Sequence, residues 1–283
     1  MVMNASEAND NMPEAFESVM TRLRMDGYSQ AFNAYVREFY THDPDHDFHL
    51  DIKAEHSRNV FTHACGLAGA EEAFAAFPDR ARALLLAAMF HDFGRFLQYH
   101  RYGTFSDAQS VNHGRLAVRE VKRLGLLRTE PVHVRHAALA GIILHNRYSL
   151  PARLPEGIRY VAEAVRDADK LDILRIMASH LTGAVPPDPV VVLHAASSPE
   201  VSPAVLEAVM RRRLASYTDL ATTTDFIILV CGWFYDLNFA WSRGVFAKSS
   251  YTRSLLAALP ETEELAAFTA QYRSDLAPHA AFD

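Results

Sequence analysis

Residues 80–90, RARALLLAAMF, are apolar over almost the whole circumference of a helix and lead directly into the polar pair His91 and Asp92. A helix that is apolar on every side lies inside a protein, so this segment is predicted to form a central, buried helix. At its end, the helix would carry an imidazole and a carboxylate into the interior. Because an ionised carboxylate is costly to bury without compensation, His91 and Asp92 require partners from other parts of the chain.

The overall composition is that of a globular protein with a substantial core. Of the 283 residues, 49% are hydrophobic and 22% are charged. The net charge of -6 disfavours a dedicated nucleic-acid binder, because binding to phosphates normally needs a basic surface. We also expect no membrane span, since no apolar run reaches about 18 residues. The two cysteines and the polar, acidic N-terminus, which does not resemble a signal peptide, predict a cytoplasmic protein.

Apolar residues recur at helical spacing along most of the chain, and strand-like alternation is almost absent. This pattern predicts an all-α fold, a helical bundle with additional helices towards the C-terminus. We expect residues 1–12 to be a disordered tail and residues 13–283 to form a single domain. Within that domain, the core that carries the motifs would cover residues 45–180, and a C-terminal helical extension would cover residues 200–283.

Three further segments carry local predictions. Residues 41–51, THDPDHDFHLD, are rich in turn-forming residues and predict a link between helices. Residues 94–110, GRFLQYHRYGTFSDAQS, show no clear period and contain two glycines, which predicts a surface loop beside His91 and Asp92. Residues 222–241 are strongly apolar and predict one helix.

Other histidines and aspartates lie on the apolar faces of predicted helices. The candidates are His56, His113, His145 and Asp169. Several helices that each direct such a group inward are best explained by a shared cation, which would compensate the buried charge. Imidazole together with carboxylate suits a divalent transition metal, such as Mn, Fe, Zn, Co or Ni, better than it suits calcium or magnesium.

Three motifs, KAEHSRNV, LLLAAMFHDFGRF and VRDADKLDIL, place His56, the pair His91 and Asp92, and Asp169 in this order along the chain. The order resembles the H…HD…D motif of the HD-domain superfamily of metal-dependent phosphohydrolases, over about residues 45–180. The resemblance implies an HD-domain-like helical bundle. It also implies one metal ion, bound by all four of these side chains.

In the branch of this superfamily that carries two metals, two further histidines lie between the HD pair and the final aspartate. His113 and His145 occupy those positions here, so the resemblance implies a second ion bound by these histidines and by Asp92. Asp92 would bridge the two ions, because a carboxylate has two oxygens whereas one histidine nitrogen cannot bind two metals in this way. A site with a single ion is the alternative.

Some nearby residues compete for these roles. His136 competes with His145 for the place of the fourth histidine, and we favour His145. Asp167 and Asp172 compete with Asp169. The superfamily places its ligand after an alanine and before a basic residue and a leucine, which favours Asp169.

A phosphorylated substrate requires cations near the metal. From Asp92 to Arg123 the chain carries six Lys or Arg residues against three Asp or Glu residues, although the whole chain is acidic. The candidate substrate-binding residues are Lys53, Arg95, Arg101, Thr104, Arg147 and Lys170. The candidate catalytic residues are Asp92, Arg95 and Arg101. We interpret the other cations of this stretch as a solvated helix face; they are Arg115, Arg119, Lys122 and Arg123.

These features favour a metal-dependent hydrolase that acts on a small phosphorylated molecule, a phosphomonoester or a nucleotide, with a metal-activated water as the nucleophile. The alternatives are a di-iron oxygenase of the HD type and a metal-stabilised binding or regulatory module with little turnover. The local excess of cations favours hydrolysis over oxygenation. After Asp92 the chain reads FGRF where the superfamily usually has a lysine-bearing turn, so the resemblance supplies no general-acid lysine there. A homo-oligomer is compatible with the sequence.

Overall fold

The structure is a computed structural model, and it describes residues 25–186, 191–192 and 195–280. By its internal contacts the chain divides into two compact units, Met1–Asp169 and Lys170–Asp283, which we call the N-terminal unit and the C-terminal unit. The predicted disordered tail, residues 1–12, lies outside the described residues. The single domain over residues 13–283 remains a prediction.

The described part of the N-terminal unit is built from helices. They are α1 (Asp26–Arg37), α2 (Pro44–Ala70), α3 (Glu72–Ala75), α4 (Pro78–Phe90), α5 (Phe93–Tyr102), α6 (His113–Arg123), α7 (Val132–Leu144) and α8 (Glu156–Leu181), which continues into the C-terminal unit. A short 3-10 helix, Asp107–Gln109, lies between α5 and α6. Nowhere in the described residues does a helix combine the length and the hydropathy that a membrane crossing requires.

The described part of the C-terminal unit is also helical. Its helices are α9 (Pro203–Met210), α10 (Thr223–Gly232), α11 (Ala240–Lys248), α12 (Ser250–Ala257) and α13 (Glu263–Ala280). The buried side chains of Phe246, Phe268 and Tyr272 belong to its hydrophobic core. Across the described residues, an isolated bridge between Ala196 and Thr222 is the only β pairing. The all-α prediction, with additional helices towards the C-terminus, is confirmed.

The single helix predicted over residues 222–241 is interrupted. After α10 the chain tightens into a 3-10 helix, Trp233–Asp236, and then becomes extended before α11 begins. The side-chain amide of Asn238 donates a hydrogen bond to the carbonyl oxygen of Asp236 at 3.3 Å. Such local bonds between a side chain and the backbone compete with helical hydrogen bonds, and hydropathy alone does not reveal them.

Helix α4 is buried in the N-terminal unit, as the sequence predicts. It packs against α1, α2, α3 and α7, and Leu84 and Leu85 are fully buried. Pro78 opens the helix at a position where the missing backbone N–H costs no hydrogen bond. The helix ends before His91, and His91 and Asp92 form the two-residue break that separates α4 from α5.

Helix α2 begins earlier than the sequence suggests, so the predicted link over residues 41–51 is wrong from Pro44 onwards. The carboxylate of Asp43 accepts a hydrogen bond from the backbone N–H of Asp45 at 3.0 Å, and Pro44 occupies the first turn. Both are standard features of a helix start. The same residue types are also typical of turns, which is why the pattern was ambiguous.

The predicted loop over residues 94–110 is wrong in its first half, because that half forms α5. Phe93 and Phe96 are fully buried, and the Phe93 ring stacks on Tyr35 of α1 with 3.8 Å between ring centroids. Gly103 ends the helix in the left-handed conformation, with φ of 63°. Packing against α1 therefore stabilises a helix whose own sequence shows no clear period.

Gly94 allows the close approach of α5 and α6. A Cβ atom at this position would lie 2.4 Å from the carbonyl oxygen of His113 and 2.6 Å from the backbone nitrogen of Ala117. Both are backbone atoms, so a larger residue would force the two helices apart. The glycine that suggested a loop is thus required by the packing of a helix.

Gly94→Ala is expected to lower the free energy of unfolding by about 1–3 kcal/mol, because overpacking against a rigid backbone displaces a helix. Gly69→Ala is the matched control, since Gly69 is an exposed residue of α2 and an added Cβ would have nothing within 4 Å. Helix propensity predicts that this control is neutral or stabilising, by up to about 1 kcal/mol. Urea unfolding measures both variants, and equal stability of Gly94→Ala and the wild type would contradict the close approach.

Candidate metal centre

Six side chains that the sequence nominates as metal ligands come together in the N-terminal unit. They are His56 on α2, His91 and Asp92 between α4 and α5, His113 at the start of α6, His145 directly after α7, and Asp169 on α8. Five of them are at most 5% exposed. The sixth, Asp169, keeps 17% of its side chain exposed. We call these six side chains the cluster.

The carboxylate of Asp92 lies between two sets of nitrogens. Its Oδ2 atom is 3.7 Å from Nε2 of His56 and 3.9 Å from Nε2 of His91. Its Oδ1 atom is 3.4 Å from Nε2 of His113 and 3.7 Å from Nε2 of His145. Each oxygen of Asp92 therefore faces a different pair of imidazoles.

The second aspartate of the cluster, Asp169, lies beside the first pair of imidazoles, His56 and His91. The Nε2 atoms of His56 and His91 are 3.3 Å apart. Oδ1 of Asp169 lies 3.1 Å from Nε2 of His56 and 3.8 Å from Nε2 of His91. On the other side of Asp92, the Nε2 atoms of His113 and His145 are 3.0 Å apart. We call His56, His91 and Asp169 the first group, and His113 and His145 the second group.

His91 and His145 are oriented in the same way. Each directly follows a helix, and its Nδ1 atom lies 2.7 Å from the carbonyl oxygen three residues earlier, that of Ala88 or Ile142. The last carbonyls of a helix lack intrahelical partners, so they are available as acceptors. A carbonyl oxygen can only accept, so each Nδ1 carries the proton and each Nε2 presents a lone pair to the cluster.

His113 is oriented by a carboxylate instead. Its Nδ1 atom lies 2.8 Å from both Oδ1 and Oδ2 of Asp107. Since an ionised carboxylate accepts, Nε2 of His113 also presents a lone pair. The lone pairs of His113 and His145 then face each other at 3.0 Å, where no hydrogen bond can join them. A cation between such nitrogens would satisfy both, so the donor set fits a bound metal ion.

The charge states of the cluster also suit a cation. Burial lowers the pKa of His91 to about 4 and that of His113 to about 3, so both imidazoles are neutral near pH 7. Burial alone would raise the pKa of Asp92, but nearby cations, above all Lys53, hold it well below its ordinary value. Burial alone would also raise the pKa of Asp169, but the hydrogen bond from His56 and the charge interactions with the neighbouring histidines together lower it. Neutral imidazoles and ionised carboxylates are the forms that bind metal.

Two overlapping sets within the cluster have ligand atoms close enough to hold an ion. They are His56 with His91 and Asp169, and His91 with Asp92 and His145, and the ligand atoms of each set lie within 4.8 Å of one another. Nitrogen and carboxylate donors in this ratio suit a divalent transition metal.

Two of the predicted cations lie at the cluster. Nζ of Lys53 is 2.9 Å from Oδ2 of Asp92, and 18% of the lysine side chain is exposed. Nε of Arg95 is 3.4 Å from Oδ1 of Asp92, an ion-pair distance without hydrogen-bond geometry. The Nη1 atom of Arg95 donates to the side chain of Gln98 at 2.9 Å, to that of Asp107 at 3.2 Å and to the carbonyl oxygen of Phe105. Much of the hydrogen-bonding capacity of Arg95 is thus used within the protein.

The other predicted substrate-binding residues lie elsewhere among the described residues. Arg101 and Arg147 are exposed. The hydroxyl of Thr104 accepts a hydrogen bond from the backbone N–H of Ser106. Lys170 belongs to the C-terminal unit, where it pairs with Asp236 at 2.7 Å. The described contacts do not join these four residues to the cluster, and their roles remain predictions.

The structure places two of the competing candidates, His136 and Asp172, away from the cluster. His136 is exposed on α7, whereas His145 is buried in the cluster. Asp172 pairs with Arg175 at 2.7 Å in the C-terminal unit, whereas Asp169 contacts His56. The cations interpreted as a solvated helix face are indeed exposed; they are Arg115, Arg119, Lys122 and Arg123.

Asp107 contacts the cluster through His113, and the sequence did not predict this contact. It lies in a short 3-10 helix after α5, six residues before His113, so no helical period links the two. An acidic residue in a polar segment is usually solvated, and only the folded arrangement shows that this one contacts an imidazole.

A helical bundle that buries four imidazoles and two carboxylates together has the architecture of a metal-binding domain. In a comparison with family models, the model of the HD domain matches residues 54–185, which include the whole cluster. The match covers somewhat less than half of the chain, and the predicted resemblance to the HD-domain superfamily is confirmed over these residues. The HD-domain superfamily consists in general of metal-dependent phosphohydrolases, and HD domains bind divalent metals. Comparison with curated proteins gave no match, and comparison with solved structures gave none either.

Proposed function

We propose that this chain is a hydrolase of a small phosphorylated substrate, a phosphomonoester or a nucleotide, and that its site binds two divalent transition-metal ions. One observation carries the proposal: the two oxygens of Asp92 face two different pairs of imidazoles within one buried cluster. Such an arrangement is suited to two ions that share one carboxylate.

Each of the two groups would hold one ion. His56, His91 and Asp169 would hold the first ion together with Asp92, whose Oδ2 atom faces His56 and His91. His113 and His145 would hold the second ion together with Asp92, whose Oδ1 atom faces them. The hydrogen bonds at Nδ1 of His91 and His145 hold these rings in the tautomer that binds metal.

A divalent ion bound here lowers the pKa of a coordinated water and supplies a nucleophile near neutral pH. The protein contributes a buried setting, since five members of the cluster are at most 5% exposed. The partly exposed side chains at this site are Asp169, which belongs to the cluster, and Lys53 and Arg95, which lie beside it. We infer that the substrate approaches from this side, where its phosphate meets the Lys53 ammonium.

Lys53→Gln is expected to raise the KM for a phosphorylated substrate about tenfold, equivalent to about 1.4 kcal/mol of lost binding, while the metal content is unchanged. The reason is that Nζ of Lys53 is a partly exposed cation at the edge of the cluster. Lys122→Gln is the control, because it removes an exposed cation from α6. Steady-state kinetics measure the effect, and an unaltered KM in Lys53→Gln would exclude the assigned contact.

The proposal is tested by loading the purified full chain with Mn²⁺, Zn²⁺, Co²⁺ or Fe²⁺ and measuring phosphate release from a panel of phosphomonoesters and nucleotides. We expect release that a chelator abolishes and added metal restores. If the metal-loaded chain releases no phosphate from any member of the panel, the proposal is wrong. If the iron-loaded chain instead consumes oxygen with an organic substrate, the oxygenase alternative replaces it.

A further inference from the structure

Asp107 lies outside the cluster and contacts one of its members. Its carboxylate accepts the Nδ1–H of His113 at 2.8 Å, on the side of the ring away from Asp92. We propose that Asp107 is a positioning residue that orients His113 for the second ion, an inference that rests on the two-ion site of the proposed function.

His113 needs a partner of this kind because of its place in the fold. His91 and His145 follow the ends of helices, where unpaired carbonyls accept their Nδ1 protons. His113 is the first residue of α6, where the unpaired backbone groups are N–H donors instead. A helix start therefore offers no acceptor to the ring, and a side chain has to supply it.

The helix start also acts on the charge of the ring. The positive end of the helix dipole disfavours positive charge near His113 and weakens electron donation from its nitrogen. A carboxylate at Nδ1 opposes this effect, since a charged acceptor makes imidazole a stronger ligand than a carbonyl does. Asp107 thus restores the donor strength that the position of His113 would otherwise reduce.

Asp107 is itself held firmly by donors from neighbouring elements. Its Oδ1 atom accepts from the side chain of Gln98 at 3.0 Å and from Arg95 at 3.2 Å, both on α5. Its Oδ2 atom accepts from the amides of Asn146 at 3.1 Å and Asn112 at 3.3 Å. A carboxylate with this many donors has a fixed orientation, as a positioning role requires.

Gln98 gives a second, independent indication that this arrangement is specific. The side chain of Gln98 is fully buried. Besides Asp107, its amide nitrogen lies 2.8 Å from Oγ of Ser110 and 2.9 Å from the carbonyl oxygen of Val111. A buried amide that joins α5 to the segment before His113 fixes the distance between Asp107 and the ring.

The test titrates Co²⁺ into the full chain and follows each binding step by absorption, with elemental analysis of the saturated protein. In Asp107→Ala the second ion should bind about 10–100-fold more weakly while the first is unaffected. In Asp107→Asn the affinity for the second ion should fall less than in Asp107→Ala, because the amide oxygen can still accept a hydrogen bond from His113. Asp79→Ala is the matched control, since Asp79 contacts His133, an exposed histidine outside the cluster, at 2.6 Å.

A second measurement does not depend on metal. In NMR spectra, the Nδ1 proton of His113 should give a low-field signal that Asp107→Ala removes and Asp79→Ala leaves intact. Unchanged affinity for both ions in Asp107→Ala, or equal weakening of both, would overturn the inference. A wild type that binds two ions but releases no phosphate would refute the proposed hydrolysis and leave this inference intact. A wild type without a second ion would refute both.

Discussion

Asp92→Asn is expected to release both metal ions and to abolish activity. The substitution preserves the shape of the side chain but removes its charge and one of its two acceptor oxygens. Both groups of imidazoles face this one carboxylate, at 3.4 to 3.9 Å. Since the two oxygens of Asp92 serve both groups, we expect the largest loss of metal from this single change.

Elemental analysis of Asp92→Asn measures this loss, and circular dichroism verifies that the variant is folded. Asp172→Asn is the matched control, because Asp172 is a buried carboxylate that pairs with Arg175 at 2.7 Å outside the cluster. Breaking that pair can cost about 3–5 kcal/mol of stability, but it should leave the metal content of the folded protein unchanged. Full metal occupancy in Asp92→Asn would refute the bridging role.

His145→Ala is expected to remove one ion and keep the other. His145 contacts Oδ1 of Asp92 and the Nε2 atom of His113, whereas the first group contacts Oδ2. Hydrolysis should fall by more than about 100-fold although half of the metal remains, because the two ions act together on the phosphate.

His136→Ala is the matched control for this substitution, because His136 is an exposed histidine of α7, the helix that His145 follows. It should retain both ions and full activity. His56→Ala provides a contrast, since the loss of a ligand from the first group should weaken the binding of the first ion and leave the second ion bound. Loss of both ions in His145→Ala would show that the two groups are not separate sites.

The position of the cluster could be predicted because it depends on strong patterns. Residues 80–90 are apolar on every side, which predicts a buried helix. His91 and Asp92 at its end were therefore expected to meet partners inside the protein. His56, His113 and Asp169 were predicted on apolar helical faces. The structure brings His56 and His113 to Asp92, and it brings Asp169 to His56. Residue type and helical period nominated these side chains, and the resemblance to the HD-domain motif favoured Asp169 over Asp167 and Asp172.

The surroundings of the cluster could not be predicted, because they depend on packing and on side-chain geometry. Helix α5 is stabilised by Phe93 and Phe96 against α1, which no local period reveals. The contact between Asp107 and His113 joins a 3-10 helix to the start of another helix. The sequence also predicted that Arg95 takes part in substrate binding and catalysis. In the structure, much of its guanidinium is used in contacts with Gln98, Phe105 and Asp107.

The most direct test of this account is the number of metal ions that the wild-type chain binds. Elemental analysis of protein purified without chelator and saturated with Mn²⁺, Zn²⁺ or Co²⁺ gives this number. We expect two ions per chain, since both oxygens of Asp92 face a group of metal-binding imidazoles. One ion per chain would contradict the two-ion site, and no tightly bound ion would contradict the metal centre itself.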